Sequence, residues 1–153
     1  MPKPFSLQRL LELAQARAEE SSRVLGRLIA EEREAKERLE ILERYRSEYL
    51  EKYREAQAKG LNKQAWNNYN GFIKRLDTAV AQQTTTLQSA RQRTAQGQQA
   101  WHNENRQMNA LKTLSTRHKQ REQYLEARSE QKALDEFSAH KYLHSLSFGT
   151  PKE

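Results

Sequence analysis

Proline is confined to Pro2, Pro4 and Pro151 in a chain of 153 residues, so nothing between Phe5 and Thr150 forces a helix to break. With 35% hydrophobic residues, 31% charged residues and a mean hydropathy of -1.10, the chain has too little apolar material for an ordinary compact core. Together these facts favour long helices with few breaks and argue against a globular enzyme. Cysteine is absent, which excludes a disulfide framework and thiolate metal sites and suits a reducing compartment, with cytoplasm as the expectation. The start, MPKPFSLQRLLELAQ, lacks an apolar signal core. No run approaches the roughly 18 apolar residues of a membrane span, so any membrane link is expected to pass through a partner.

The apolar pattern says how such helices pack. Leu7, Leu11, Ala14, Ala18, Ser21, Leu25, Leu28, Glu32, Ala35, Leu39, Leu42, Arg46, Tyr49, Tyr53 and Ala56 follow one another at alternating steps of four and three, and twelve of these fifteen are apolar. A rhythm of that kind is a coiled-coil seam, with Leu11, Leu25, Leu39 and Tyr53 at a and Leu7, Leu28, Leu42 and Tyr49 at d. Phe5-Ser6 followed by Leu10 reads as an N-cap with a hydrophobic staple.

The rhythm stops at AKGLNKQAW. Gly60 suits the left-handed conformation that ends a helix, Asn62 suits a cap, and Leu61 with Trp66 forms a second staple. A second seam follows through Trp66, Tyr69, Ile73, Leu76, Val80, Gln83, Leu87, Ala90, Thr94, Gly97, Trp101, Glu104, Met108 and Leu111. Folding the chain so that facing residue numbers add to about 122 sets every a of one arm against a d of the other, as antiparallel packing requires. Large then meets small: Trp101 faces Ser21, Gly97 faces Leu25, Thr94 faces Leu28 and Met108 faces Ala14. The expected fold is all-α, a long antiparallel two-helix coiled-coil hairpin. Its expected parts are a tail over 1–5, a first helix over 6–58, a turn over 59–62 and a second, longer helix over 63–140 with a C-terminal overhang. Residues 141–153 are expected to be a flexible tail.

Catalytic signatures are missing: there is no Gly-rich phosphate loop, HExxH or CxxC, and the glutamates lie among lysines and arginines at helical spacing. His140 and His144 have the spacing of a metal pair, but no third ligand accompanies them, so they read as solvated and no metal or cofactor is expected. The net charge of +7 is uneven. Residues 91–121 carry seven bases against Glu104 alone, an excess of +6. Such a basic end suits an acidic protein, an acidic lipid surface or nucleic acid. For nucleic acid a denser Lys/Arg stripe with stacking residues beside it is expected, and AQQTTTLQSARQRTAQGQQ offers glutamine and threonine instead.

Near the turn, WNNYNGFIKRL places Trp66, Tyr69, Ile73 and Leu76 on the seam and Phe72 off it, at g. Tyr45 is a g residue of the first arm. In an antiparallel pair the g positions of both helices line one flank, so Tyr45 and Phe72, with Tyr49 and Leu76 at its edge, form either a docking surface or a widened seam.

The chain resembles the flagellar type III export protein FliJ family. The resemblance rests on ARAEESSRVLG and LERYRSEYLEKY in the first arm, WNNYNGFIKRLDTAVAQQ after the turn and EARSEQKALDEFSAHK near the end, and it spans nearly the whole sequence. It implies a non-enzymatic coiled coil similar to the stalk subunit of rotary ATPases. Such a protein inserts into the hexameric export ATPase FliI and promotes its activity, contacts the cytoplasmic domain of the export gate FlhA, and binds export chaperones after cargo release. The family's gate-binding surface corresponds here to Leu42, Tyr45, Tyr49, Phe72, Leu76 and Ala79, with Arg38 and Gln83 at its margins. The basic end, with Arg106, Lys112, Arg117, Lys119 and Arg121, is the part expected to meet the ATPase ring. The implied location is cytoplasmic, peripheral at the inner face of the inner membrane. The equivalent stalk of a virulence type III injectisome shares the hairpin but generally lacks the aromatic element. A basic helical nucleic-acid binder is the alternative from another class.

Overall fold

A computed structural model describes residues 3–149 as two long helices, α1 (Gln8–Lys59) and α2 (Lys63–Phe148), packed against each other as an all-α helical hairpin. Gly60 turns the chain with φ of 93°, a left-handed conformation that a side chain would resist. Asn62 then starts α2: its Oδ1 accepts the Ala65 N–H at 2.8 Å, and its carbonyl accepts the Trp66 N–H at 3.1 Å. Among the described residues no helix is long and apolar enough to cross a membrane.

All fifteen first-arm seam positions are buried or half-buried, which is the 4-3 rhythm made physical. On the second arm the same holds from Tyr69 to Leu111, whereas Trp66, expected on the seam, is 48% exposed. Trp66 lies in the first turn of α2, opposite the last turns of α1, which stops at Lys59 and has little left to cover an indole; the smaller Ala65 is half-buried there.

Packing divides the described chain into two units, residues 17–104 and residues 3–16 with 105–149. Within the first, Ala35, Leu87 and Ala90 form a small buried cluster against which Leu39 packs. Thr94 Oγ1 donates within reach of two carbonyls, Ala90 O at 3.0 Å and Leu28 O at 3.3 Å, so a polar side chain sits in the seam satisfied. Polar interruptions find cross-helix partners too: Gln83 Nε2–H donates to Ala35 O at 3.0 Å, Arg46 pairs with Asp77, and Glu32 lies 3.7 Å from Arg91. These contacts follow the antiparallel register in which facing numbers add to about 122.

At Gly97 the two helices come close together. A Cβ added there would lie 2.7 Å from Leu28 Cδ1 and 3.5 Å from Leu25 Cδ1. Gly97→Val is therefore expected to overpack this point and cost about 2 kcal/mol, seen as a lower thermal midpoint. Gly97→Ala is expected to be nearly neutral, because the helix gain of roughly 1 kcal/mol offsets a clash with the mobile end of Leu28. Equal midpoints for Gly97→Val and the native chain would show that the helices do not touch here.

In the second unit Leu11, Ala14 and Ser115 are buried. Leu10, expected to staple onto Phe5, is exposed instead, and Phe5 packs on the His118 ring at 5.5 Å. A ring on the facing helix offers Phe5 an aromatic pair, which the solvent-facing Leu10 cannot. Helix entry uses backbone, with Gln8 N–H donating to Phe5 O at 3.1 Å. His118 Nε2 also lies 2.8 Å from Lys3 O, and Lys3 N–H donates to Glu122 Oε2 at 3.2 Å. Beyond residue 122 every described residue is exposed, yet α2 stays helical to Phe148, past the end at 140 read from the sequence. No proline and no glycine stands between Gly97 and Gly149 to stop it. Residues 150–153 of the expected tail lie outside the described residues.

Candidate docking site

The g-flank near the turn is built by the seam beneath it. Leu76 is only 8% exposed, and Tyr49 is half-buried beside it. Tyr49 carries an aromatic ladder: its ring lies 4.3 Å from Phe72 and 5.4 Å from Tyr69, and Tyr69 in turn lies 5.5 Å from Tyr53. Offset tilted pairs at these separations add to burial. Phe72 is thus half anchored, at 40% exposed, whereas Tyr45 is 59% exposed with no aromatic partner among the described residues.

Tyr45, Glu48, Tyr49, Lys52, Phe72 and Leu76 together line a groove of about 270 Å³. On the far side of Phe72, Asn67, Asn68, Gly71 and Arg75 line a second hollow with Tyr49. The result is an apolar trough with a cation on each side of Phe72, Lys52 on α1 and Arg75 on α2. An apolar side chain with a nearby carboxylate suits it chemically.

Four of the eight gate residues expected from the resemblance, Tyr45, Tyr49, Phe72 and Leu76, meet in this one groove. The others are elsewhere. Half-buried Leu42 is a seam residue, and Ala79 lies with Lys74, Arg75, Thr78 and Gln82. Arg38 and Gln83 belong to a separate polar groove with Glu31, Glu34, Thr86 and Arg93; there Arg38 pairs with Glu34 at 2.7 Å. Glu48 and Lys52 were missed from sequence. Lys52 had a signal, since it falls at g one heptad after Tyr45, but a lysine on a helix flank is ordinary and only the facing Phe72 gives it meaning.

The basic residues separate as well. Arg91 and Arg93 are engaged with Glu32 and Glu31 at 3.7 and 3.6 Å. Arg106, Lys112, Arg117, Lys119 and Arg121 are exposed and enter no ion pair among the described residues. At about 100° per residue, Arg106, Arg117 and Arg121 share one side of α2, and Lys112 with Lys119 lies on roughly the opposite side. They surround the helix and do not form a single stripe. His140 and His144 remain exposed, and no group of three or more metal-ligating side chains occurs among the described residues.

A family model described as "Flagellar FliJ protein" matches residues 2–147. The Flagellar FliJ protein of Escherichia coli (strain K12) is 29% identical over 133 residues, which cover 87% of this chain and 90% of that protein. The Flagellar FliJ protein of Salmonella typhi is 28% identical over 133 residues, with the same coverage of 87% and 90%.

Proposed function

The chain belongs to the flagellar FliJ family, and from that membership we propose that it is a non-enzymatic stalk and adaptor of the flagellar type III protein export apparatus. The basic segment enters the ring of the hexameric export ATPase FliI and raises its activity. The trough of Tyr45, Tyr49, Phe72 and Leu76 receives the cytoplasmic domain of the export gate FlhA, and unloaded chaperones dock on the same adaptor. The chain works in the cytoplasm, reaching the inner membrane through these partners. The observation that carries this reading is the trough: a polar two-helix protein exposes two aromatic rings from different helices on one flank, over a seam that closes without them. Exposed aromatics around a partly desolvated hollow are the usual anchors of protein recognition.

The test is to mix the purified chain with FliI and, separately, with the FlhA cytoplasmic domain. Stimulated ATP hydrolysis by FliI, no hydrolysis by the chain alone, and saturable binding to FlhA are expected. The geometry refines the ATPase arm. Charge reversal at Arg106, Arg117 and Arg121 and, in a second variant, at Lys112 and Lys119 asks which side of α2 meets the ring. At least one variant is expected to lower activation severalfold, with a loss that grows as salt is reduced below physiological strength, where the screening length exceeds about 8 Å. Full activation by both variants would remove the basic segment from the ring contact.

A further inference from the structure

From residue 123 to Phe148, α2 runs with every side chain exposed. An isolated helix of this length is marginal in water, because most helical stability in proteins comes from a packed face. Ala127, Glu130, Leu134, Phe137, Lys141, His144 and Phe148 follow one another at steps of three and four and lie within an arc of about 100°. This is a second seam, on a different side of α2 from the one that meets α1. It carries three large exposed apolar residues, Leu134 at 60%, Phe137 at 66% and Phe148 at 80%, while Tyr124, Tyr142 and Leu143, each 64% exposed, lie off it. His144 stacks on Phe148 at 4.8 Å, and Phe137, His140, Lys141, His144 and Ser145 line a shallow groove along the stripe.

We propose that this stripe pairs antiparallel with the same stripe of a second copy of the chain, in the register that sets Leu134 against Phe137 of the other copy. The pattern is self-complementary in that register. Leu134 meets Phe137 twice at the centre, Glu130 meets Lys141 on either side, and Ala127 meets His144 beyond them. Small faces large and acid faces base, with no like charges opposed, which is how antiparallel coiled coils select a partner and a register. Glu130 and Lys141 enter no ion pair among the described residues, so both are available. Asp135, which lies off the stripe, instead accepts the Gln131 Nε2–H at 3.1 Å. The inference does not depend on the export reading and concerns a different segment from the aromatic trough.

Sedimentation equilibrium of the full chain over a wide concentration range tests this. A reversible dimer is expected, with far-UV helicity rising as the dimer forms. E130K alone and K141E alone each replace two attractions by two repulsions and are expected to raise the dissociation constant roughly tenfold or more. An equimolar mixture of E130K with K141E restores both pairs and is expected to form heterodimers of native strength. Because the native chain has no cysteine, Ala127→Cys mixed with His144→Cys is expected to give a disulfide-linked dimer on oxidation, and Ala127→Cys alone to give little. A chain that stays monomeric throughout overturns the proposal and leaves the stripe to a different protein. A dimer indifferent to both charge reversals, or one not recovered by mixing them, overturns the antiparallel register.

Discussion

Leu39→Pro is expected to lower stability by about 3 kcal/mol or more and to reduce helicity well beyond one turn. Leu39 packs against the Ala35, Leu87 and Ala90 cluster, and its neighbour one turn earlier does double duty. The Ala35 carbonyl lies four residues before position 39, where a proline ring would collide with it, and the same oxygen accepts the Gln83 Nε2–H at 3.0 Å. One substitution therefore removes a helical hydrogen bond, displaces a carbonyl and disturbs a bond between the helices. Leu39→Ala is the comparison. It loses packing alone, about 2 kcal/mol, and keeps the backbone intact. Thermal unfolding followed by far-UV circular dichroism reads both, and equal midpoints for the two variants would mean that the mid-arm backbone carries no special strain from proline.

Replacing Tyr45 and Phe72 together by alanine is expected to abolish most of the proposed gate binding while leaving the hairpin folded. Each ring acting as a recognition anchor contributes roughly 2 kcal/mol, about a thirtyfold change in affinity. The two are not equivalent for stability. Tyr45 stands largely in solvent, so its loss should hardly move the melting temperature, whereas Phe72 rests 4.3 Å from the Tyr49 ring and its removal should cost about 1 kcal/mol. The control is Leu25→Ala, half-buried against Gly97, which should lower the midpoint and spare gate binding. Calorimetric titration with the FlhA cytoplasmic domain separates the outcomes. A double variant that unfolds shows that the rings are core, and one that folds and binds with native affinity shows that the trough is not the gate contact.

Lys52 and Arg75 sharpen the chemistry of that surface. From sequence the flank was a list of apolar g and d positions with Arg38 and Gln83 at its margins, and Lys52 and Arg75 did not stand out because lysine and arginine occur all along both helices. In the folded hairpin two cations flank Phe72, from opposite helices, while Arg38 lines a different groove, exposed and paired with Glu34. The same limit explains Trp66. Periodicity assigned it to the seam, but periodicity carries no information about where the facing helix ends.

The alternation of four and three from Leu7 to Ala56, the absence of proline from Phe5 to Thr150 and the pair Gly60 and Asn62 were enough to determine two helices, their reversal and their register, because each depends on local spacing or on one residue's backbone preference. Even the contact of Gly97 with Leu25 was readable, since register converts spacing into facing pairs. Tertiary structure alone decided what the ends and flanks do. Phe5 chose His118 over Leu10, Trp66 was left in solvent, and Tyr45, Tyr49, Phe72 and Leu76 came to line one groove with Glu48 and Lys52. These outcomes depend on where two helices stop covering one another and how wide their side chains reach, distances that no repeat in a single chain encodes.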